Sequence, residues 1–313
     1  MEDFTTTYQE YLELIENKLK NILSPDNFFE PFQATESMRY SLLAGGKRIR
    51  PIMTFAVAKC FNLEITDELI HLASCVEMIH NYSLIHDDLP AMDDDSLRRG
   101  KPTNHIIYGE GMAVLGGDAL LNLAYENLFE LSYENPKLLK AAKRIAYEAG
   151  VNGMIGGQSM DLSGSEIDLS HVDSKDENLN YLKQLQDLKT GALIRAAVLS
   201  GYYYSEINAL DFNFNSDLEN LFIEYANYFG LIFQIRDDLL DVLSDEKTLG
   251  KSIGKDSRDN KLTFVSLLGI EDSKKYEKNL QNKIQEVLDK MKTLHLNIEF
   301  LNELTRNMFK RKF

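Results

Sequence analysis

Residues 68–93 read ELIHLASCVEMIHNYSLIHDDLPAMD. Up to Leu89, apolar side chains fall on nearly every face of a 3.6-residue repeat, which predicts a central, buried helix. Thr66 or Asp67 can cap its start. Pro90 disfavours helical backbone at Leu89, so the helix should bend or stop there. The break lets Asp93 approach Asp87 although six residues separate them. The chain continues DDSLRRG to Gly100, so Asp87, Asp88, Asp93, Asp94 and Asp95 crowd together just ahead of Arg98 and Arg99. Like charges this close repel one another. Such a cluster at the end of an apolar helix suits a bound cation; the plainer reading is a set of salt bridges and solvated carboxylates. Asp94 and Asp95 read as solvated.

The helical pattern extends outward in both directions. YLELIENKLKNIL (11–23) has apolar residues at three-to-four spacing and stops at Ser24-Pro25. EPFQATESMRYSLLAGG (30–46) reads as a helix stopped by Gly45-Gly46, and Pro51 suits the first turn of the next, PIMTFAVAKCF (51–61). Further helices are expected near 111–133, 136–161, 178–204, 215–243, 261–270, 273–293 and 297–311. Alternating strand patterns are scarce. The longest polar interruptions are 93–105, 163–177 and 244–260, none of them a low-complexity linker. The expectation is an all-α fold, a single domain over 1–313 forming one large helical bundle around a deep apolar cavity.

Composition excludes several classes. The formal net charge is −15, so the broad basic footprint of a nucleic-acid-binding protein is missing. Cys60 and Cys75 have neither CxxC spacing nor nearby ligand partners and read as reduced core thiols, in keeping with a cytoplasmic location. The acidic, amphipathic start MEDFTTTYQEYLELIENKLK is unlike a signal peptide. No apolar run approaches the roughly 20 residues of a membrane span.

The acidic motif has an echo. GLIFQIRDDLLD (230–241) again ends an apolar helix in paired aspartates, Asp237 and Asp238, with Asp241 one turn on. Asp237 and Asp241, at i and i+4, share a helix face. Taken alone, DDLLD is equally well a solvated helix end. Facing the first motif across a bundle, it would complete an acidic mouth over an apolar interior. Hard carboxylate oxygens of this kind suit Mg²⁺, which commonly binds through one or two carboxylates plus substrate phosphates.

Basic residues recur at the acidic motifs. Arg98 and Arg99 suit bidentate phosphate recognition. GGKRIRP (45–51) places Lys47, Arg48 and Arg50 after Gly45 and Gly46 at a helix start, where backbone can approach an anion. Lys189-Thr190-Gly191 interrupts an apolar helix, and Lys251 and Lys261 follow the second motif. His80 lies about two turns before Asp87, within reach of a phosphate bound nearby. In so acidic a chain, these placements suggest bound anions.

Read together and in order, GGKRIRP, HDDLPAMDDDSLRRGKPT, GDALL, GGQSMD, KTG, FQIRDDLLD and LGKSIGKD resemble the trans-isoprenyl diphosphate synthases, most closely the bacterial short-chain farnesyl diphosphate synthases. The resemblance covers nearly the whole chain. It implies a usually homodimeric all-α prenyltransferase that condenses isopentenyl diphosphate with dimethylallyl or geranyl diphosphate. The implied cofactor is Mg²⁺, in several ions, with Mn²⁺ a substitute. By position, Asp87, Asp88 and Asp93 belong to the first metal-binding motif and Asp237, Asp238 and Asp241 to the second; Asp87, Asp93 and Asp237 match the usual direct ligands. Arg98, Lys189, Lys251 and Lys261 match contacts to the allylic diphosphate, and Thr190 and Gln234 match positions near the forming cation. Gly46, Lys47, Arg50, His80 and Arg99 match the isopentenyl diphosphate site. Ser96 departs from relatives that carry another Asp there, and the basic ending FKRKF is like that of relatives whose tail closes over the site.

The resemblance also implies a product. Tyr82, with Ser83 beside it, lies five residues before Asp87, roughly 7–8 Å along a helix at 1.5 Å per residue. An aromatic residue at that spacing, with a motif of the length of DDLPAMD, goes with farnesyl products in the family. Geranylgeranyl diphosphate synthesis, or service as one subunit of a heteromeric synthase, is the alternative. A terpene cyclase would not be expected to need the second acidic motif or GGKRIRP, and the D-x-D-x-D-G spacing of a Ca²⁺ loop is missing.

Overall fold

A computed structural model describes residues 3–28, 32–164, 175–243 and 262–309. The fold is all-α, with one two-residue-per-strand hairpin as its β-structure among the described residues. The helices are α1 (Phe4–Ile22), α2 (Gln33–Leu42), α3 (Ile49–Cys60), α4 (Asp67–Asp87), α5 (Asn104–Tyr108), α6 (Glu110–Glu134), α7 (Leu139–Ala149) and α8 (Met154–Gly164). They continue with α9 (Lys175–Gln186), a π-helical turn (Asp187–Gly191), α10 (Ala192–Asn208), α11 (Ser216–Leu243), α12 (Phe264–Leu268), α13 (Ile270–Thr293) and α14 (Glu299–Phe309). The Cα packing divides the chain into two compact units, Met1–Ala146 with Ser200–Phe212, and Tyr147–Leu199 with Asn213–Phe313.

In the first unit, α1 buries Tyr11, Ile15 and Leu19, one residue per turn. α4 is buried around its circumference, from Leu69 and Leu72 to Tyr82 and Ile85. Its cap is Thr66, whose Oγ1 accepts from the Leu69 N–H at 3.2 Å. Asp67 and Glu68 occupy the first turn, where the helix dipole favours negative charge. Glycines set the packing of α6: a Cβ at Gly116 would collide with Ser37 on α2, and one at Gly117 would fall on the His86 ring of α4. Cys60 and Cys75 are both buried, and burial pushes their thiols far up. No helix of the described residues is long and apolar enough to cross a membrane.

In the second unit, α13 is amphipathic and buries Leu280, Ile284, Val287, Leu288 and Met291. It packs against α11, and the buried pair Arg236–Glu277 at 2.6 Å ties the two together. Arg195 sits among Glu148, Asp187 and Asn227, so its burial costs little unpaired polarity.

Three local outcomes differ from the sequence reading. The helix expected over 136–161 is two helices, because the backbone turns between Gly150 and Gly153, whose N–H donates to the Gly150 carbonyl at 3.0 Å. The helix expected over 178–204 carries a π-turn at Lys189-Thr190-Gly191. The polar stretch 93–105 holds a hairpin that pairs Leu97 with Pro102 and Arg98 with Lys101. Its two central residues, Arg99 and Gly100, both have positive φ (54° and 74°), as a tight two-residue hairpin requires.

Candidate active site

The first acidic motif is built by the end of α4. The helix stops at Asp87, and Pro90 opens a turn in which the Asp93 N–H donates to the Asp87 carbonyl at 2.9 Å. The Asp95 N–H donates to the Asp88 carbonyl at 3.2 Å. Asp87 and Asp93, drawn together as the spacing predicts, are half-buried. Asp88 differs from both. It is 3% exposed, and its carboxylate accepts from Arg98 Nε at 2.8 and 2.9 Å and from Arg98 Nη2 at 2.6 Å. Burial pushes the Asp88 carboxyl up against the opposing pull of Arg98.

The hairpin turns Arg99 the other way. Its guanidinium donates to the Gly45 carbonyl and lies on Gly46, where a Cβ would stand 2.7 Å from Nη1. Gly46 (φ 156°) is thus required for close approach. The two arginines of GGKRIRP separate. Arg48 is buried and engaged by Glu16 at 2.7 Å, Glu77 at 2.8 Å and the Leu42 carbonyl at 2.6 Å, so it is structural. Arg50 is half-buried, and its Nε makes no hydrogen bond. Burial lowers the Arg50 guanidinium, with Arg99 adding to the effect while Glu77 opposes it. Burial also lowers His80 well below the usual imidazole range, reinforced by Arg50, Arg99, Arg98 and Arg48, so its ring is neutral near pH 7. Gly46, Arg50, His80 and Arg99 therefore share one cationic neighbourhood. Lys47 is exposed beside them, and its carbonyl accepts from the Tyr8 hydroxyl at 2.5 Å.

On α4, Tyr82 is 6% exposed and meets the His86 ring edge-on, with centroids 5.7 Å apart. Burial, together with Tyr125 and Asp118 of α6, pushes its phenol up to about 12. Ser83 is half-buried and donates to the His80 carbonyl at 2.8 Å.

The second acidic motif lies within the last turns of α11. Asp237 and Asp241 are half-buried on one helix face. Asp238 is 3% exposed; it accepts from Gln234 Nε2 at 2.9 Å through one oxygen and from the Phe264 N–H at 2.8 Å through the other. Thr190 Oγ1 donates to Gln234 Oε1 at 3.3 Å. Lys189 Nζ donates to Asp161 Oδ2 at 2.6 Å. The π-turn that carries Lys189 and Thr190 is seated by glycines: a Cβ at Gly157 would strike the Lys189 backbone, and one at Gly230 would lie 3.1 Å from the Gly191 Cα.

The paired Gly156-Gly157 inside a helical pattern points from sequence to close packing or backbone approach, and Gly157 does lie against the Lys189 backbone; sequence reasoning assigned no role to Asp161, although it closes GGQSMD, nor to Gly191 and Gly230. The signal was the pairing of glycines with the KTG interruption, since π-turns are frequent at functional sites. Lys251 and Lys261 lie outside the described residues. Among those residues, no group of three or more His, Cys, Asp or Glu side chains gathers as a metal site on its own.

The sequence model described as Polyprenyl synthetase matches residues 33–298. A geranylgeranyl diphosphate synthase from Cyanophora paradoxa is 43% identical over 284 residues, 90% of this chain and 88% of that protein. The large subunit 1 of a heterodimeric geranylgeranyl pyrophosphate synthase from Arabidopsis thaliana is 39% identical over 83% of this chain and 67% of its own. Among solved structures, a geranyltransferase from Helicobacter pylori, in complex with magnesium and isoprenyl diphosphate, superposes with a TM-score of 0.83 at 33% identity, covering 99% of both chains. An FPP/GFPP synthase from Zymomonas mobilis gives 0.80 at 32% identity, covering 97% of this chain and 98% of that one.

Proposed function

The chain belongs to the polyprenyl synthetase family and is a prenyltransferase; from that premise we propose that it condenses isopentenyl diphosphate with allylic diphosphates, with geranylgeranyl diphosphate as its main product. The observation that carries the diphosphate reading is the surroundings of Arg50. A half-buried guanidinium with an unbonded Nε, beside Arg99 and a neutral His80, suits an anion rather than a protein carboxylate. Gly46 lets the Arg99 guanidinium lie against the backbone there, and Lys47 stands exposed beside it. This set takes the isopentenyl diphosphate. Arg98 and Lys189, with Lys251 and Lys261 by position, take the allylic diphosphate.

The carboxylates fit Mg²⁺. Asp87 with Asp93, and Asp237 with Asp241, each give a pair of half-buried hard oxygen donors, the number that Mg²⁺ commonly uses beside substrate phosphates. When bound there, Mg²⁺ supplies neutralisation of the charge that builds on the leaving diphosphate. The basic residues assigned to the allylic diphosphate add fixed positive charge at the same oxygens. Thr190 and Gln234, joined by a hydrogen bond, present oxygen dipoles toward the developing allylic cation. The double bond of isopentenyl diphosphate attacks that cation, and the released diphosphate takes the proton that is lost. Apolar helices such as α4 exclude water, which would quench the cation.

The geranylgeranyl product is supported by the names of the curated relatives, the Cyanophora synthase foremost. A farnesyl product is the second reading, and Tyr82 favours it: a buried ring five residues before Asp87 suits a floor under a growing chain. Assembly as a homodimer belongs to the same proposal, supported by Leu115, Phe129 and Tyr133 exposed along α6. The deciding experiment incubates the purified chain with Mg²⁺, isopentenyl diphosphate and dimethylallyl, geranyl or farnesyl diphosphate in turn, and identifies the products by chromatography. Consumption of farnesyl diphosphate supports the geranylgeranyl reading. Arrest at farnesyl diphosphate supports the second, and no turnover with any substrate pair rejects both.

A further inference from the structure

We infer that Arg195 is a positioning residue: paired with Asp187 across the π-turn, it locks the helix in the widened register that presents Lys189 and Thr190. The inference rests on the prenyl-transfer reading above, which gives those two side chains their use, and it identifies what holds them in place.

Helix α9 runs into α10 without leaving helical backbone. Gln186 before the π-turn and Ala192 after it both have right-handed dihedrals (φ −70°, ψ −33° and φ −55°, ψ −49°). The turn Asp187–Gly191 therefore inserts one extra residue into a continuous helix. In an unbroken α-helix, residues eight apart are turned about 80° from each other around the axis. Absorbing one residue in the wide turn reduces that to about 20°, the offset of an ordinary i, i+7 pair. Asp187 and Arg195 are eight apart, and Arg195 Nη1 donates to Asp187 Oδ1. Helical side chains lean toward the N-terminus, which carries the long arginine back over the turn. The pair closes on one helix face because the extra residue is there.

The arginine is itself fixed from outside the helix. Its other edge forks onto Glu148, near the end of α7, with Nε to Oε1 at 3.2 Å and Nη2 to Oε2 at 3.1 Å. The Glu148 side chain is 1% exposed and that of Arg195 9%, whereas that of Asp187 is 39%. Glu148–Arg195 is thus the buried anchor, and Asp187 is latched onto it. Arg195 Nη1 also donates to Asn227 Oδ1 at 3.0 Å. Asn227, Gly230 and Gln234, at i, i+3 and i+7, share one face of α11. That face meets the π-turn at three points: Asn227 through Arg195, Gly230 against the Gly191 Cα, and Gln234 through the Thr190 hydroxyl. All of these residues lie in the second unit. Were the turn to tighten to α, one flank would rotate by about 100°, one residue's worth, and Arg195 or Thr190 would lose its partner.

The test uses Asp187→Ala, which opens the latch and leaves Arg195 on Glu148 and Asn227. Alanine is the better helix former, so helix propensity is not lost. A partly exposed ion pair adds little to global stability, so the variant should melt within a few degrees of wild type. Amide hydrogen exchange, read by mass spectrometry without substrate, should be about tenfold or more faster over 187–195 and unchanged in α13. Asp187→Glu keeps a carboxylate for Arg195 and should restore most of the protection. In turnover, Asp187→Ala should raise KM for the allylic diphosphate about tenfold, the weight of a displaced charge-assisted contact from Lys189, with KM for isopentenyl diphosphate within about twofold. A merely less folded enzyme would lose kcat with both KM values unchanged. If Asp187→Ala does not fold, Asp187→Asn carries the same expectations. Wild-type exchange over 187–195, faster exchange that Asp187→Glu does not reverse, or an unchanged allylic KM would each overturn the inference. A wild-type chain without prenyl transfer would instead sink the functional proposal, and the exchange comparison would still decide whether Arg195 holds the turn.

Discussion

Gly157 and Lys189 meet backbone to backbone: a Cβ on Gly157 would stand 2.1 Å from the Lys189 nitrogen. That approach seats the π-turn that presents Lys189 and Thr190. Gly157→Ala should gain about 1 kcal/mol of helix propensity in α8. The clash is with main chain, which cannot swing away, so overpacking costing about 1–3 kcal/mol should prevail. We expect a lower melting temperature and a large loss of activity. A variant as stable and active as wild type would show that the two backbones are not in contact.

Activity should require a divalent metal through both acidic motifs. Asp87→Ala and Asp237→Ala should each lower kcat by about 100-fold or more, the scale of removing one main electrostatic aid to charge separation. Chelator should abolish turnover, and added Mg²⁺ should restore it. Steady-state kinetics on the folded variants check this; full activity in either variant, or in chelator, rejects the two-motif metal reading.

The two diphosphate sets should separate kinetically. Arg50→Gln should raise KM for isopentenyl diphosphate about tenfold or more, the weight of a lost charge-assisted bond, with a smaller effect on the allylic KM. Lys189→Gln should show the reverse preference. Equal effects on both substrates in each variant would mean that the assignment to sites is mistaken.

On the farnesyl reading, in which Tyr82 is the floor, Tyr82→Ala with Ser83 retained should shift the product distribution toward longer chains in a still-folded enzyme. If Tyr82 only packs the core, truncation costs about 3 kcal/mol or more and leaves chain length alone. Product chromatography beside a thermal melt distinguishes the two. An unchanged distribution from an active variant removes Tyr82 as a floor.

His80 makes stability depend on pH, and the sign follows from its lowered pKa. Below the ordinary imidazole value near 6.5, the unfolded chain takes up a proton that the folded chain refuses, so stability falls as pH falls. The slope from this one group is about half its limit at that value and approaches the limit, about 1.4 kcal/mol per pH unit, a unit or so below it. His80→Gln should lose less stability than wild type between pH 7.5 and 5.5 in urea unfolding. The carboxylates titrate in both chains and cancel in the difference. Identical losses would show that His80 is accessible to protons in the folded state.

Much of the first unit was legible because its signals are local. Pro90 dictated where α4 ends, Thr66 or Asp67 where it begins, and the all-round apolar pattern that it is buried. The approach of Asp93 to Asp87 followed from the same proline. What escaped the sequence depends on partners distant in the chain. Nothing within GGKRIRP says that Arg48 turns inward to Glu77 while Arg50 keeps an unbonded Nε, since Glu77 comes from another helix. Nothing within DDLLD says that its middle carboxylate is taken by Phe264. The hairpin at Arg99-Gly100 lacked the usual Asn-Gly or Asp-Gly signal, and a non-glycine residue with positive φ is uncommon. The π-turn was visible only as polar residues in an apolar helix.

The bond from the Phe264 N–H to Asp238 spans 26 residues of chain. It acts as a clasp between the start of α12 and the end of α11. Because its donor is main chain, every residue at 264 except proline would keep it, whereas loss of the Asp238 carboxylate would strand a buried N–H. The clasp therefore depends on the chemistry of one partner and only on the backbone of the other.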